Sequence, residues 1–197
     1  MDYRFEIIER ALLHEGFVRV DGLRLRHSLY AGGWSPPLRR ELAVRGHAVA
    51  VLLYDPRLDQ VVMIEQFRTG AIQQPGGPWL LELAAGFIEE GESPEEVAHR
   101  EVGEETGCRI LALEPIATYL VSPGWSSETM HLFCGKVDAS HAGGVHGLKE
   151  EGEDIQVRVL DAAEALARLD AGMVNSATPL VALQWLARNR ERLQAEW

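Results

Sequence analysis

The stretch GFIEEGESPEEVAHREVGEETGC, Gly86 to Cys108, constrains this chain more than any other part of it. Start and stop signals frame a helix inside it. Ser93 is a good N-cap, Pro94 suits the first helical position, and Glu96 completes a capping box. Gly107 can end the helix in the left-handed conformation. At about 100° per residue, Val97, Ala98, Glu101, Val102 and Glu105 fall in one stripe, with Glu96, His99, Arg100 and Glu104 towards the other side. An ordinary amphipathic helix fills such a stripe with apolar side chains. Two carboxylates one turn apart within it repel unless something positive sits between them. A hard divalent cation with oxygen ligands meets that need, and Mg²⁺ is the usual choice when phosphates complete the shell. The competing reading is a solvated acidic face, which is what most runs of glutamate are.

The chain has 197 residues, of which 46% are hydrophobic, enough for one packed core with appendages. A net charge of −11 repels nucleic acid, so no nucleic-acid partner is expected. A phosphorylated small molecule remains compatible, because a bound cation and a few arginines reverse the local field. No apolar run is long enough to span a bilayer, and Met1 to Glu6 has neither the basic region nor the apolar core of a signal peptide, so no membrane partner is expected. Cys108 and Cys134 are the two cysteines, in no metal-ligand spacing. They read as reduced, partly buried thiols of a cytoplasmic protein.

Residues 1–45 differ in character from the rest and read as an N-terminal β-extension. Phe17 to Arg26 alternates apolar and polar residues around Asp21-Gly22, a hairpin signal, and residues 31–37 form a loop. A lone hairpin is marginal in water, so this one needs a surface to cover. Residues 46–197 read as the main domain. Residues 48–54 and 60–67 are strands joined through Asp55-Pro56, and residues 79–83 lead into the glutamate helix. Residues 110–120, 129–137 and 154–160 are further strands, and residues 139–153 form a Gly- and Glu-rich loop. Two helices close the chain, one capped by Asp161 with Glu164, the other with Pro179 in its first turn. The sum is an α/β/α sandwich around a mixed sheet.

The spacing of Gly86, Glu92, Arg100-Glu101, Glu104-Glu105 and Gly107, with Cys108 as the closing apolar residue, resembles the Nudix box at every defined position. Beyond it, nearly the whole chain from Glu6 onward resembles bacterial ADP-ribose pyrophosphatases of the Nudix superfamily. Ser122-Pro123-Gly124 stands fifteen residues after the box, where that subfamily keeps a proline. Gly147-Leu148 with Glu153-Asp154-Ile155 resembles its catalytic loop, and residues 182–186 and Glu196-Trp197 also match.

The resemblance implies a domain-swapped homodimer, N-terminal strands crossing between subunits and the substrate site shared. It implies Mg²⁺, with Mn²⁺ or another divalent cation as a substitute, held by the main-chain oxygen of Ala85 and by Glu101, Glu105 and Glu153. Glu104 is either a further ligand or a supporting carboxylate, and Arg100 orients carboxylates rather than touching substrate. Glu151 is the implied general base, with Glu150 its competitor. Substrate contacts are implied at Phe17, Val18, Arg40, Glu41, Arg45, Arg68, Phe87, Ser122, Pro123, Gly124 and Glu128. The family often has two aromatics where this chain has Phe17 and Val18, which leaves base stacking to Phe17. Residues 73–78 also depart from the family in composition. His99, His131, His141 and His146 show no catalytic partner and read as structural.

The expected activity is Mg²⁺-dependent hydrolysis of ADP-ribose to AMP and ribose 5-phosphate. The alternatives are a pyrophosphatase for another nucleotide sugar, such as GDP-mannose, and a non-catalytic Nudix domain that senses ADP-ribose. Sensing domains usually lose a box glutamate, and none is lost here.

Overall fold

In the computed structural model, which describes residues 3–197, the expected N-terminal antiparallel extension is present, but its turn lies elsewhere. Strand β1 (Phe5–Glu15) pairs with β2 (Arg19–His27), and β2 pairs with β3 (Leu38–Val44). The chain turns at residues 16–18, and Asp21-Gly22 sits in mid-strand opposite Leu12 and Ala11. Tertiary contacts override the local turn preference of this pair. The buried Asp21 carboxylate accepts a hydrogen bond from Arg19 Nε at 2.9 Å and another from Arg10. The Leu13 side chain packs 3.1 Å from where a Gly22 Cβ would stand. β1 does not alternate in sequence, because its register slips between Ile7 and Glu9 and again between Leu12 and His14. All eleven of its residues are exposed, Phe5, Ile7, Ile8, Leu12 and Leu13 among them.

The chain divides into two compact units. One holds the residues up to His47 together with Tyr119–Met130, and the other holds Ala48–Thr118 with His131–Trp197. In the first, the 122–128 segment joins the end of β3. Ala43 N–H donates to Trp125 O at 2.8 Å, Ser127 N–H to Ala43 O at 3.0 Å, and Arg45 N–H to Ser127 Oγ at 3.1 Å.

The second unit is built on β4 (His47–Asp55), β5 (Gln60–Phe67), β6 (Trp79–Glu82) and β7 (Ala84–Phe87), then α1 (Pro94–Thr106). Next come β8 (Ala112–Leu120), β9 (Thr129–Lys136), β10 (Val145–His146), β11 (Ile155–Asp161), α2 (Ala162–Asp170) and α3 (Ala177–Glu196). The strand order is β10-β11-β5-β4-β9-β8, with β6 paired to β5 and β7 to β4. β10 lies inside the span expected to be an irregular loop.

Both faces of the central strands are buried, which is why β4 reads as a continuous apolar run. Val49, Val51, Leu53, Val62 and Val157 form one core with Val97, Ala98 and Val102 of α1. The opposite face carries Tyr54, Val61 and Met63, and α3 contributes the buried Leu183, Leu186 and Leu193. One ionic contact ties α3 to the β4–β5 turn. Asp59, at φ +56°, accepts from Tyr54 Oη at 2.8 Å and Arg190 Nε at 2.7 Å, with a second bond from Arg190 Nη2.

The Arg190 hydrogen bond, with help from Tyr54, holds the Asp59 carboxyl below the usual carboxylate range against the opposing effect of burial. A depressed carboxyl stabilises the fold above its unfolded pKa, and that stability is lost as pH falls through the folded value. Asn tolerates the left-handed conformation and keeps an acceptor for Tyr54, so Asp59→Asn removes mainly the charge. The expected loss at pH 7 is on the order of 1–3 kcal/mol. Urea unfolding should show the gap between variant and wild type closing below about pH 4, where the free carboxyl protonates.

Candidate active site

The glutamate helix forms as its sequence specifies. Ser93 and Glu96 make the reciprocal capping box, Ser93 N–H donating to Glu96 Oε2 at 2.8 Å, and Gly107 closes the helix at φ +67°. Val97, Ala98 and Val102 are fully buried, and Glu105 lies in the same stripe at 2% exposure. Its Oε2 accepts a 2.8 Å hydrogen bond from the main-chain N–H of Ala85 in β7. One turn earlier, Glu101 lies against Gly86, where an added Cβ would fall 1.7 Å from Glu101 Oε1. The glycine is therefore an opening into which a carboxylate fits.

Arg100 is committed to carboxylates, as expected. Its Nε reaches Glu92 Oε1 at 3.0 Å, and its Nη1 reaches Glu101 Oε1 at 2.6 Å and Glu104 Oε2 at 3.3 Å. Its Nη2 donates to Phe87 O at 3.3 Å.

Burial is the main cause that pushes the Glu105 carboxyl up to about 8, against the Ala85 hydrogen bond and with further repulsion from Glu101 and Glu153. Burial also raises Glu101, opposed by Arg100 and reinforced by Glu104 and Glu153. Partly desolvated carboxylates that repel one another form an oxygen-only donor set suited to a hard divalent cation. Ala85, Glu101, Glu105 and Glu153 fit such an ion by donor chemistry. Among the described residues, no three acidic, histidine or cysteine side chains are already gathered as a closed ligand cluster. Glu153 instead turns back on its own loop, accepting from Leu148 N–H at 3.0 Å.

That loop is anchored at its start, where Gly147 N–H donates to Glu104 O at 3.3 Å. Beyond it, Lys149–Glu151 forms a single 3-10 turn closed by Gly152 at φ +73°. Glu150 and Glu151 are both exposed on it. Arg68 follows β5 and donates to Glu82 Oε2 at 2.6 Å, while Ser176 Oγ donates to Glu82 Oε1 at 3.0 Å. Glu82 was missed in the sequence. The signal available was one charged residue inside the apolar run from Trp79 to Leu83.

In the first unit, the Arg45 guanidinium stands 5.0 Å over the ring of Phe17 and 3.7 Å from Glu128. Ser122, Pro123 and Gly124 form the turn leading to Glu128, with Ser122 O accepting from Trp125 N–H at 3.1 Å and from Ser126 N–H at 2.9 Å. Val18 is half-buried in the β1–β2 turn. Arg40 and Glu41 lie on β3 and line an open groove of about 620 Å³ with Glu9, Leu13 and Arg24. The structure thus gathers Ala85, Glu101 and Glu105 in one unit and Phe17, Arg45 and Glu128 in the other.

Residues 44–182 match the family model described as the NUDIX domain, and the chain belongs to that family. It is 45% identical to the ADP-ribose pyrophosphatase of Escherichia coli (strain K12), over 98% of this chain and 92% of that one. It is 43% identical to the ADP-ribose pyrophosphatase of Haemophilus influenzae, over 98% and 90%. The GDP-mannose pyrophosphatase of Cronobacter sakazakii is 33% identical over 94% and 96%. Among solved structures, an ADP compounds hydrolase shares the fold at a TM-score of 0.70 and 18% identity, covering 94% of this chain and 96% of its own.

Two glycine substitutions should act with opposite sign. Gly86→Ala forces Glu101 or β7 to move and should cost about 1–3 kcal/mol. Gly103, in the same helix with open space around its Cβ position, should gain roughly 0.5–1 kcal/mol as Ala. Thermal denaturation of the two variants beside wild type measures both. A Gly86→Ala protein of unchanged stability would mean that Glu101 can leave its place freely.

Proposed function

We propose that this protein hydrolyses the diphosphate of ADP-ribose, using water and a divalent cation, to give AMP and ribose 5-phosphate. What carries the reading is the near full-length identity to ADP-ribose pyrophosphatases, joined to the half-buried Glu101 and the buried Glu105 one turn apart on α1. The residues proposed to hold Mg²⁺, or Mn²⁺ in its place, are Ala85 through its main-chain oxygen, Glu101, Glu105 and Glu153. When bound, the ion supplies charge neutralisation on the diphosphate and a Lewis acid at the reacting phosphorus. Glu151, carried on the exposed 3-10 turn between the left-handed Gly147 and Gly152, takes the proton of the attacking water. A phosphorus–oxygen bond forms to that water, and the anhydride bond to the leaving phosphate breaks. Arg100 holds the carboxylates in place. Arg68, Arg45 and Arg40 are proposed to complement phosphate and purine acceptors, and Phe17 to stack on the base. Val18, Glu41, Phe87, Ser122 to Gly124 and Glu128 complete the proposed contacts.

A homodimer accounts for β1. Eleven exposed residues with five large apolar side chains make a surface that a second copy of the chain would cover, with the N-terminal strands exchanged and the site shared. Among the described residues no helix is long and apolar enough to cross a membrane, and both cysteines are free thiols. A cytoplasmic location fits the latter.

Assaying AMP release from a panel of nucleoside diphosphate sugars tests the substrate. GDP-mannose is the second reading because of the relative that is 33% identical. Within that assay, Glu105→Gln keeps size and helix propensity and removes the charge. It should lower kcat by two to three orders of magnitude, about 3–4 kcal/mol. Near-normal turnover with unchanged Mg²⁺ dependence would sink the ligand assignment.

The base is tested by three single variants. Glu151→Gln should lower kcat strongly and leave KM near its wild-type value. Glu153→Gln should weaken the response to Mg²⁺, and Glu150→Gln should change little. A Glu150→Gln variant that loses turnover while Glu151→Gln retains it would move the base by one residue.

A further inference from the structure

Gln66 holds the one buried side-chain nitrogen or oxygen among the described residues that lacks a hydrogen-bond partner: the residue is 7% exposed, and its Nε2 is unpaired. A buried amide donor left without an acceptor costs stability, and native proteins rarely keep one without a reason. A Leu or Met would fill the same volume beside Val62 and Ile64.

Its place in the sheet suggests the reason. Alternation along β5 puts Val62, Ile64 and Gln66 on one face. Val62 pairs with Leu53 and Ile64 with Val157, and all but Ile64 belong to the core that packs under α1. Gln66 therefore faces the side of the sheet that carries the glutamate helix. Arg68, two residues on in extended conformation, shares that side, and its charge acts on the Glu105 carboxyl. Gly86, open towards Glu101, faces the same way.

Each neighbouring carboxylate already has a donor of its own. Glu105 accepts from Ala85 N–H, Glu101 from Arg100, and Glu82 from Arg68 and Ser176. None of these oxygens is within hydrogen-bond reach of Gln66 Nε2, and an anionic oxygen brought in beside the arginine and the carboxylate pair would supply the acceptor it lacks. We infer that Gln66 is a substrate-binding residue whose side-chain amide donates to a non-bridging oxygen of the diphosphate. This rests on the hydrolase reading above. It adds a neutral donor to the cationic groups proposed there, so that the diphosphate is oriented from the sheet as well as from the helix.

The test is Gln66→Met, which keeps length and volume and removes the donor, with Gln66→Leu as the second variant where Met does not pack. Removing an unsatisfied buried amide should leave the melting temperature unchanged or raise it. The same change should lower kcat/KM for ADP-ribose on the order of 10- to 100-fold, the size of one hydrogen bond to a charged acceptor. Calorimetric titration with inorganic pyrophosphate and Mg²⁺ should show a matching loss of affinity, and this readout does not depend on which nucleotide sugar is the substrate. A wild type that binds Mg²⁺-pyrophosphate more tightly than Gln66→Met but does not hydrolyse ADP-ribose would support the inference and overturn the substrate. A variant that is more stable, equally active and equally tight for pyrophosphate would overturn the inference.

Discussion

Burying the Glu105 carboxylate is the constraint on which the second unit depends. A carboxyl at 2% exposure must be hydrogen-bonded, neutralised or matched by a cation. Part of the answer is the Ala85 N–H, which fixes β7 against α1. The rest of the arrangement follows. α1 has to lie flat on the sheet, which Val97, Ala98 and Val102 achieve by burying the same stripe. The strand has to come close enough to the second carboxylate that only glycine fits at position 86. Arg100 then bridges Glu101 and Glu104 of the helix to Glu92 just before it. A pattern that looks like an acidic surface is thus the inside of a packed interface.

Two of the three arginines proposed to meet the substrate come supplied with carboxylates. Arg68 is held by Glu82 at 2.6 Å and Arg45 by Glu128 at 3.7 Å. On a chain of net charge −11 this arrangement does two things. It keeps long cationic side chains close to one rotamer, which lowers the ordering cost of binding. It also means that a diphosphate must compete with an internal partner. Glu82 in turn is fixed by Ser176, at the start of α3, so the guanidinium beside the sheet is set from a helix more than a hundred residues later in the chain.

The parts of this protein legible in the sequence are those whose information is local. The capping box, the left-handed Gly107 and the stripe of α1 all lie within fifteen residues, and each is found where the pattern puts it. Strands β4 and β5 were legible because both faces are buried and the Asp55-Pro56 pair marks the turn. β1 was not, because two register slips break its alternation, and Asp21-Gly22 looked like a turn because the two arginines that hold Asp21 in a strand lie outside any local window or look like ordinary surface charge. Gln66 and Glu82 were passed over for the opposite reason. Glu82 is the single polar residue of β6 and Gln66 follows the apolar run of β5, and the meaning of each lies in what faces it across the sheet.

The first unit has a feature with a consequence for how the chain folds. Its β3 strand is completed by residues 122–128, and Arg45 meets Ser127 across 82 positions of sequence. The N-terminal strands leave the ribosome first, yet the backbone partners of Ala43 and the carboxylate that meets Arg45 are synthesised only after the glutamate helix. Contacts that close so long a loop form late. The cheapest order is for β8 and β9 to pair within the second unit and so present the connecting segment between them. A chain stalled before residue 128 therefore lacks both the Glu128 partner of Arg45 and the part of the core under α1 that Phe133, Val137 and Val157 supply.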